Sequence, residues 1–521
     1  MSDKETSALF EVSGHNKHLT PQTSQTTPRP RMKRVERNQM ILRAVNVEKL
    51  IKDDHPARAI WEFVGRLDLN PFSETIQAVE GVAGRSATDP KVLICVWIYA
   101  YSQGIGSARE IERLFEYHPA FQWLTGMDTI NHHTLSDFRI HHKKLLDELF
   151  AQVLGLLSAE GLITLERVMH DGTKIRASAG ADSFRREEKI RAHLKMATEH
   201  IQTMDDPTAP PSTERVKKAR ERALRKKKDR LELALKELEK IRSHKANKEA
   251  REQARVSQTD PEARIMKQAN GGYGPSYNVQ ISTDRAQGII VGVETTQDGT
   301  DVNQLVPAIE TIENNMGEKP KQMVADGGFT TRENILGMNK MGVDFFGSMQ
   351  NSTGTRQALF KRHGTAFDFY ADKFSHHPES NTYTCPAGKV LTYQGKQERP
   401  GAIEHRYQAQ RSDCSVCTFQ DQCCPRSKAK RRMITIVKNN PVVEAFISKM
   451  ETPEAKEIYR ERGPTSEFPN AWIKEKMGLR QFRLRGLSKV KMESVWACLT
   501  YNIKQWIRLK WKPPCESLAI A

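Results

Sequence analysis

Apolar positions recur at helical spacing through the first third of the chain. From about residue 40 to 157 there are few β-branched runs, and the pattern predicts a set of short helices. Asp89-Pro90 suits an N-cap followed by a first helical position, ahead of the apolar run 92–99. Residues 107–117 place Ile111, Leu114 and Phe115 on one side of another short helix. Thr134-Leu135-Ser136-Asp137 fits a capping box ahead of a helix carrying Phe138, Arg139, His141 and Lys143. Short helices joined by a turn and ending in a basic one fit a helix-turn-helix-like DNA reader, and equally a plain helical bundle.

The period then changes. Residues 166–176 alternate as a strand, and residues 184–256 form a charged helical block interrupted at 205–212 by a Pro-rich stretch. Leu231, Leu235, Leu238 and Ile241 recur at steps of three and four, which predicts a coiled-coil hairpin. Its run 222–230 reads either as a solvated helix face or as an arm that tracks phosphates. Alternation returns over 277–283 and 288–295, followed by a helix over 302–315, a strand over 322–325, a helix over 331–341 and a strand over 343–346. This order predicts a mixed five-stranded sheet flanked by helices. A polar, Cys-bearing region at about 350–440 precedes further helices from Pro441 past Trp506.

Composition narrows the function classes. The 521 residues carry 81 Lys+Arg against 64 Asp+Glu, a net charge of +17 that makes a polyanion the first partner to consider. A basic solubilising surface is the plainer explanation of the same charge. The apolar runs 92–100 and 288–293 are far shorter than the ~18 residues of a membrane span. Residues 1–38 are polar, lack periodicity and are expected to be a disordered basic tail with no secretory signal. The chain therefore reads as cytoplasmic and not as a membrane protein. Of the eight cysteines, Cys385, Cys414, Cys417, Cys423 and Cys424 cluster within about forty residues. Cys414-x-x-Cys417 has zinc-knuckle spacing, and Cys385 with Cys423 or Cys424 could complete four thiolates around a structural Zn²⁺. The alternative is a set of reduced, partly buried thiols. His132, His133, His141 and His142 have no acidic partner at ligand spacing and read as surface or phosphate contacts.

Two carboxylates stand at strand ends beside glycine. Asp171 lies in His170-Asp171-Gly172-Thr173-Lys174 and Asp326 in Ala325-Asp326-Gly327-Gly328-Phe329. Such a carboxylate projects past a sheet with little cover and suits a hard cation, although Asp-Gly also marks an ordinary turn. A helix expected over 468–477, opened by Pro469, puts Glu467 and Lys474 seven residues apart on one line of approach. Glu467 also fits an ordinary acid at a helix N-terminus.

Taken in order, these strings resemble the DDE transposases of bacterial insertion sequences. The match runs from about residue 40 to 510 and includes Thr134-Leu135-Ser136-Asp137-Phe138-Arg139, Tyr277-Asn278-Val279-Gln280, Arg485-Gly486-Leu487 and Tyr501-Asn502-Ile503-Lys504. The family's Tyr, Arg, Glu, Lys signature is carried by Tyr459, Arg462, Glu467 and Lys474, with four residues between Arg462 and Glu467 where the best-known form has three. Both inserts look like those of the insertion-sequence 1182-like branch.

The resemblance implies an α/β, ribonuclease-H-like catalytic domain over 161–350 and 441–511. It implies a helical DNA-binding domain over 39–160, a coiled-coil insert over 181–257 and a Cys-containing insert over 351–440. It implies Asp171, Asp326 and Glu467 as a catalytic triad holding Mg²⁺ or Mn²⁺, two ions in all, to cut and join DNA. Tyr459, Arg462, Lys474 and Arg139 are the expected DNA contacts. Partners would be the element's ends and target DNA, handled by a homodimer or larger assembly at the bacterial nucleoid. A metal-dependent nuclease without strand transfer, and a DNA-binding relic, are the rival expectations.

Overall fold

The structure, a computed structural model, describes residues 37–38, 40, 42, 44–78, 86–202, 214–349, 361–425 and 431–513. The tail expected over 1–38 and the break expected at 205–212 thus fall almost wholly outside the described residues. Residues 47–521 form one compact unit. Among the described residues no helix is long and apolar enough to cross a membrane.

Helices α1 (Pro56–Val64), α2 (Asn70–Ser73), α3 (Pro90–Ser102), α4 (Ala108–Leu114), α5 (Pro119–Thr125), α6 (His132–His141) and α7 (Lys143–Ala159) fill the N-terminal segment. The start of α3 is as expected: Pro90 occupies the first turn, and the Asp89 carboxylate accepts from Lys91 N at 2.7 Å. The start of α6 is not. Asn131 caps it by accepting from His133 N at 2.8 Å, so Thr134 and Asp137 lie inside the helix and form no capping box. His132 also meets an acid after all, with its Nδ1 2.6 Å from Glu112 Oε2. Glu112 lies twenty residues back, on α4, so no local spacing reveals the pair.

Helix α3 is buried on nearly every side because it packs on α1, α5 and the C-terminal helix Leu487–Leu509. One hydrophobic cluster runs from Ile51 through the central sheet to Trp506, so the helical segment and the sheet share a single core.

After α7 come β1 (Arg167–Arg176), β2 (Phe184–Arg185), α8 (Glu187–Gln202), α9 (Glu214–Ser243), α10 (Lys248–Glu252), β3 (Val256–Ser257), β4 (Arg264–Lys267), β5 (Tyr273–Asp284) and β6 (Ile290–Thr296). Helices α8 and α9 pair through Ile190, Leu194, Ala197, Leu231, Leu235, Leu238 and Ile241, the coiled-coil residues and their partners. The basic run of α9 is largely exposed, and Arg225 and Lys228 pair with Glu221 and Glu232 on their own helix, as a solvated face does.

The chain continues through α11 (Leu305–Met316), β7 (Gln322–Ala325), α12 (Arg332–Met341) and β8 (Asp344–Gly347). The central sheet runs β5-β1-β7-β8, with β6 and β4 sharing the outer edge of β5. Strands β4, β5, β6 and β1 are antiparallel to their neighbours, whereas β1, β7 and β8 run parallel. Six strands replace the expected five. The twelve residues of β5 outrun the seven of β6, and the short β4 pairs with the remainder at Tyr273–Ser276.

Both faces of the sheet are covered, as parallel sheets require. Val168, Met323 and Ala325 join the main core, whereas Met169, Val324 and Phe346 pack on Ala455, Ile458 and Tyr459. The Cys-bearing region, expected to be irregular, is an antiparallel five-stranded sheet. Its strands are β9 (Ser375–His377), β10 (Thr382–Thr384), β11 (Val390–Arg399), β12 (Ala402–Ala409) and β13 (Met433–Asn439), in sequential order. Its small core of Phe374, Leu391, Tyr407, Ala409 and Ile434 leaves most strand positions polar, which hid the alternation. Short helices α13 (Arg411–Ser415) and α14 (Gln420–Cys423) sit between β12 and β13. Helices α15 (Pro441–Glu451), α16 (Pro453–Arg460), α17 (Arg462–Glu475) and α18 (Leu487–Leu509) complete the chain.

Candidate active site

Strand register brings the two aspartates level. His170 on β1 pairs with Ala325 on the parallel β7. One residue further along, Asp171 and Asp326 stand on adjacent strands, whose spacing is about 4.8 Å. Strand β1 continues to Arg176, so Asp171-Gly172 is not a turn. Gly172 is needed for another reason: a Cβ there would lie 2.4 Å from Asp301 Oδ1 and 2.7 Å from Gln280 Nε2. Asp326 follows the end of β7, where its Oδ1 accepts from Gly328 N at 2.7 Å. There the turn reading and the acid reading hold together.

Helix α17 lies across β1 and β5. It begins at Arg462, not near Phe468, and Pro469 sits inside it. An internal proline ordinarily costs about 3 kcal/mol; here Ser466, Pro469, Asn470 and Ile473 are buried, and that packing offsets the cost. Asn470 donates from Nδ2 to Asp171 Oδ2 at 3.0 Å. Glu467 stands one turn earlier on the same helix, is exposed, and reaches back so that its Oε1 lies 3.7 Å from where a Gly463 Cβ would sit. Asp171 and Asp326 are therefore brought together, and Glu467 is brought onto the helix that covers them. Among the described residues no three Asp, Glu, His or Cys side chains already stand at metal-ligand spacing.

Burial pushes the Asp171 carboxyl up to about 6; Arg462 pulls it down, and Asp326 and Asp301 add to the rise. Arg462 thus faces Asp171, and its guanidinium lies 6.0 Å from the centre of the Tyr459 ring. Lys474, one turn beyond Asn470, is pulled below the usual lysine range by burial, while the Asp171 charge opposes the fall. Arg462 and Lys474 thus stand near Asp171, and Tyr459 stands beside Arg462 and packs on the face of the sheet that carries Met169, Val324 and Phe346. Arg139 is 4% exposed, donates to Gly106 O at 2.8 Å and Tyr101 Oη at 3.3 Å, and lies 4.4 Å from the Trp97 ring centre. Its charge is spent against the buried Glu493 on α18, so it ties helices together and cannot meet a phosphate.

Several residues beside the site were not among the expected site residues. Asp301 accepts from Lys174 (3.0 Å), Asn278 (2.7 Å) and Gln280 (2.8 Å). Burial works against its ionisation, but these hydrogen bonds and the Lys174 charge hold its carboxyl below the usual range. His170 donates from Nε2 to Gln280 Oε1 and accepts at Nδ1 from Ser282 Oγ, each 2.9 Å, and burial lowers it to about 4, so it is neutral. Glu461 anchors the start of α17 by pairing with Arg167 and Arg285. Asn470 was findable, because it shares a helix face with Glu467 and Lys474 at offsets of three and four.

Residues 384–507 match a family model described as a transposase DDE domain, and residues 45–141 match one described as a transposase domain (DUF772). The first match includes all of α17, and the second covers α1 to α6. No curated protein matches the chain. Both matches support an insertion-sequence transposase, an enzyme acting on DNA, carried on a mixed α/β fold.

Proposed function

We propose that this protein is a DNA transposase of the insertion-sequence 1182-like branch, with a ribonuclease-H-like catalytic domain. On this reading it binds the terminal inverted repeats of its element, cleaves them and joins them to target DNA. The observation that carries the reading is the register that sets Asp326 beside Asp171, under a helix bearing Arg462, Glu467 and Lys474, with Tyr459 on the helix before it. The strand order β6-β5-β1-β7-β8, antiparallel then parallel, supports the fold assignment.

The residues fit a divalent cation. Two carboxylates stand side by side, one within β1 and one just past the adjacent parallel β7, and the nearby Asp326 charge adds to the rise of the Asp171 carboxyl. The donors are all oxygen, which suits Mg²⁺ or Mn²⁺. Asp171, Asp326 and Glu467 would hold the ions. Bound there, such ions would activate a water or 3′-hydroxyl and stabilise the departing oxygen.

The chain's own residues do the rest. Asn470 fixes the Asp171 carboxylate, and the paired Glu461 holds α17 against the sheet. Arg462 and Lys474 grip phosphates on either side of the scissile one. The basic surface supplies affinity that is independent of sequence. Two element ends must meet, so the working form is a dimer or larger, acting at the nucleoid.

The test is cleavage of a labelled element end with Mg²⁺ by wild type and by Asp171→Ala, Asp326→Ala and Glu467→Ala. Cleavage should vanish in each variant while DNA binding persists. An Asp326→Ala protein that still cuts would overturn the proposal. Hydrolysed ends with no joined product would make the protein a nuclease and not a transposase.

A further inference from the structure

Around the small β9–β13 sheet, five cysteines on three separate turns line one cavity. Cys385 ends β10, Cys414 and Cys417 flank the end of α13, and Cys423 and Cys424 end α14. All five line a single cavity of ≈ 20 Å³, together with Arg432. None of the five is in a disulfide.

The turn after β10 aims a backbone amide at sulfur. Cys385 N donates to Lys389 O at 2.8 Å, Gly388 N donates to Cys385 O at 2.8 Å, and Lys389 N donates to Cys385 Sγ at 3.3 Å. Gly388 takes φ +74, the left-handed conformation such a tight turn demands. Arg432 lies in the cavity wall, 6% exposed, donating to the carbonyls of Cys423 (2.9 Å) and Phe369 (2.7 Å). Its guanidinium thus stands in the same wall as the thiols.

We infer that Cys385, Cys414, Cys417 and Cys423 form a structural Zn²⁺ site. Four neutral thiols would each give up a proton and bind the ion, leaving a net charge of −2 beside Arg432. Tetrahedral zinc takes four sulfurs at about 2.3 Å, so binding would draw the thiols inward around this small cavity. Cys423 is taken as the fourth ligand over Cys424 because it is the buried member of the pair, still within α14, whereas Cys424 lies just past the helix and is half-exposed. The ion would clamp the turn after β10 to α13 and α14, which rest on a sheet whose own core is only a few side chains. This site is independent of the aspartates and of the proposed DNA chemistry.

The experiment is metal analysis of the purified full-length chain, with Cys385→Ser, Cys417→Ser, Cys423→Ser and Cys424→Ser as variants and circular dichroism to confirm that each folds. One zinc per chain is expected in wild type and in Cys424→Ser, with zinc lost from the other three. Cobalt replacing zinc should give the thiolate charge-transfer absorption of a tetrahedral sulfur site, a readout that remains usable where a serine variant fails to fold. Zinc well below one per chain, retention of zinc by Cys417→Ser, loss of zinc from Cys424→Ser, or thiol titration showing disulfides among the five would each overturn it.

Discussion

Asn470, on α17, donates its amide N–H to Asp171 Oδ2 on β1 at 3.0 Å, across 299 residues of chain. The bond selects one orientation of a carboxylate whose other oxygen accepts from Gly172 N at 2.9 Å. Asn470 therefore positions Asp171 without needing to touch DNA. A hydrogen bond to a charged group contributes about 1.5–3 kcal/mol, so Asn470→Ala should slow cleavage by about 10- to 100-fold. Loss of the bond also disfavours the ionised carboxylate, so the acid limb of the pH–rate profile should move upward. A rate loss with an unmoved pH profile would reduce Asn470 to a packing role.

The Asp171 carboxyl, pushed up to about 6, makes stability depend on pH with a definite sign. Its unfolded value is near 3.8, so the folded state holds the proton more tightly. Stability from this group is full below about pH 4 and is lost as pH rises through 6. Asp171→Asn should therefore stabilise the metal-free protein at pH 7, on the order of 1–3 kcal/mol. The gain should disappear below pH 4. Thermal melts of both proteins across pH 4–7 check this, and parallel curves would show that the carboxyl is not raised. Mn²⁺ binding should weaken below pH 6 for the same reason, and titration calorimetry would read it.

Much of the central sheet was legible because its strands alternate cleanly and their turns carry Gly and Asp. Strand β7 falls at 322–325 as expected, and Asp326 just beyond it. What failed was local chemistry overruled by packing. Pro469 reads as a helix start, yet burial of Asn470 and Ile473 against β1 and β5 carries α17 straight through it. Arg139 reads as a basic helix end aimed at DNA, but its partner Glu493 is far along the chain and no local pattern reveals it. The Cys-bearing sheet was missed because few of its positions are buried, so period-two alternation never rises above the polar background. Asp301 and Gln280 join the site through tertiary contacts alone.

Arg139 supplies a test of that reassignment. It and Glu493 are both buried, and the Glu493 carboxylate accepts from Arg483 N at 3.2 Å and Leu484 N at 3.0 Å. Arg139→Met takes from Glu493 the cation that acts on it most strongly and leaves Arg483, at a cost of up to about 3 kcal/mol. Adding Glu493→Gln should recover much of that loss, because the remaining amide still accepts a backbone N–H and needs no counter-charge. Denaturant melts of the single and double variants measure the recovery. The salt dependence of DNA binding should be unchanged in the folded double variant, since no phosphate contact was removed. A shallower salt slope would restore Arg139 to the DNA interface.

Gly172 gives the last prediction, because it separates two explanations of the Asp-Gly pair. A turn glycine would resist substitution through its backbone conformation, but Gly172 lies within a strand and does not take positive φ. What resists is Asp301 Oδ1, 2.4 Å from the absent Cβ, held there by Lys174, Asn278 and Gln280. Gly172→Ala must push that carboxylate away, with an overpacking cost of about 1–3 kcal/mol. Truncating the obstacle should relieve it: Gly172→Ala in an Asp301→Ala background should cost markedly less than in wild type, by a double-mutant cycle. Additive losses in that cycle would mean that the glycine serves the strand itself and not the network beneath Asp171.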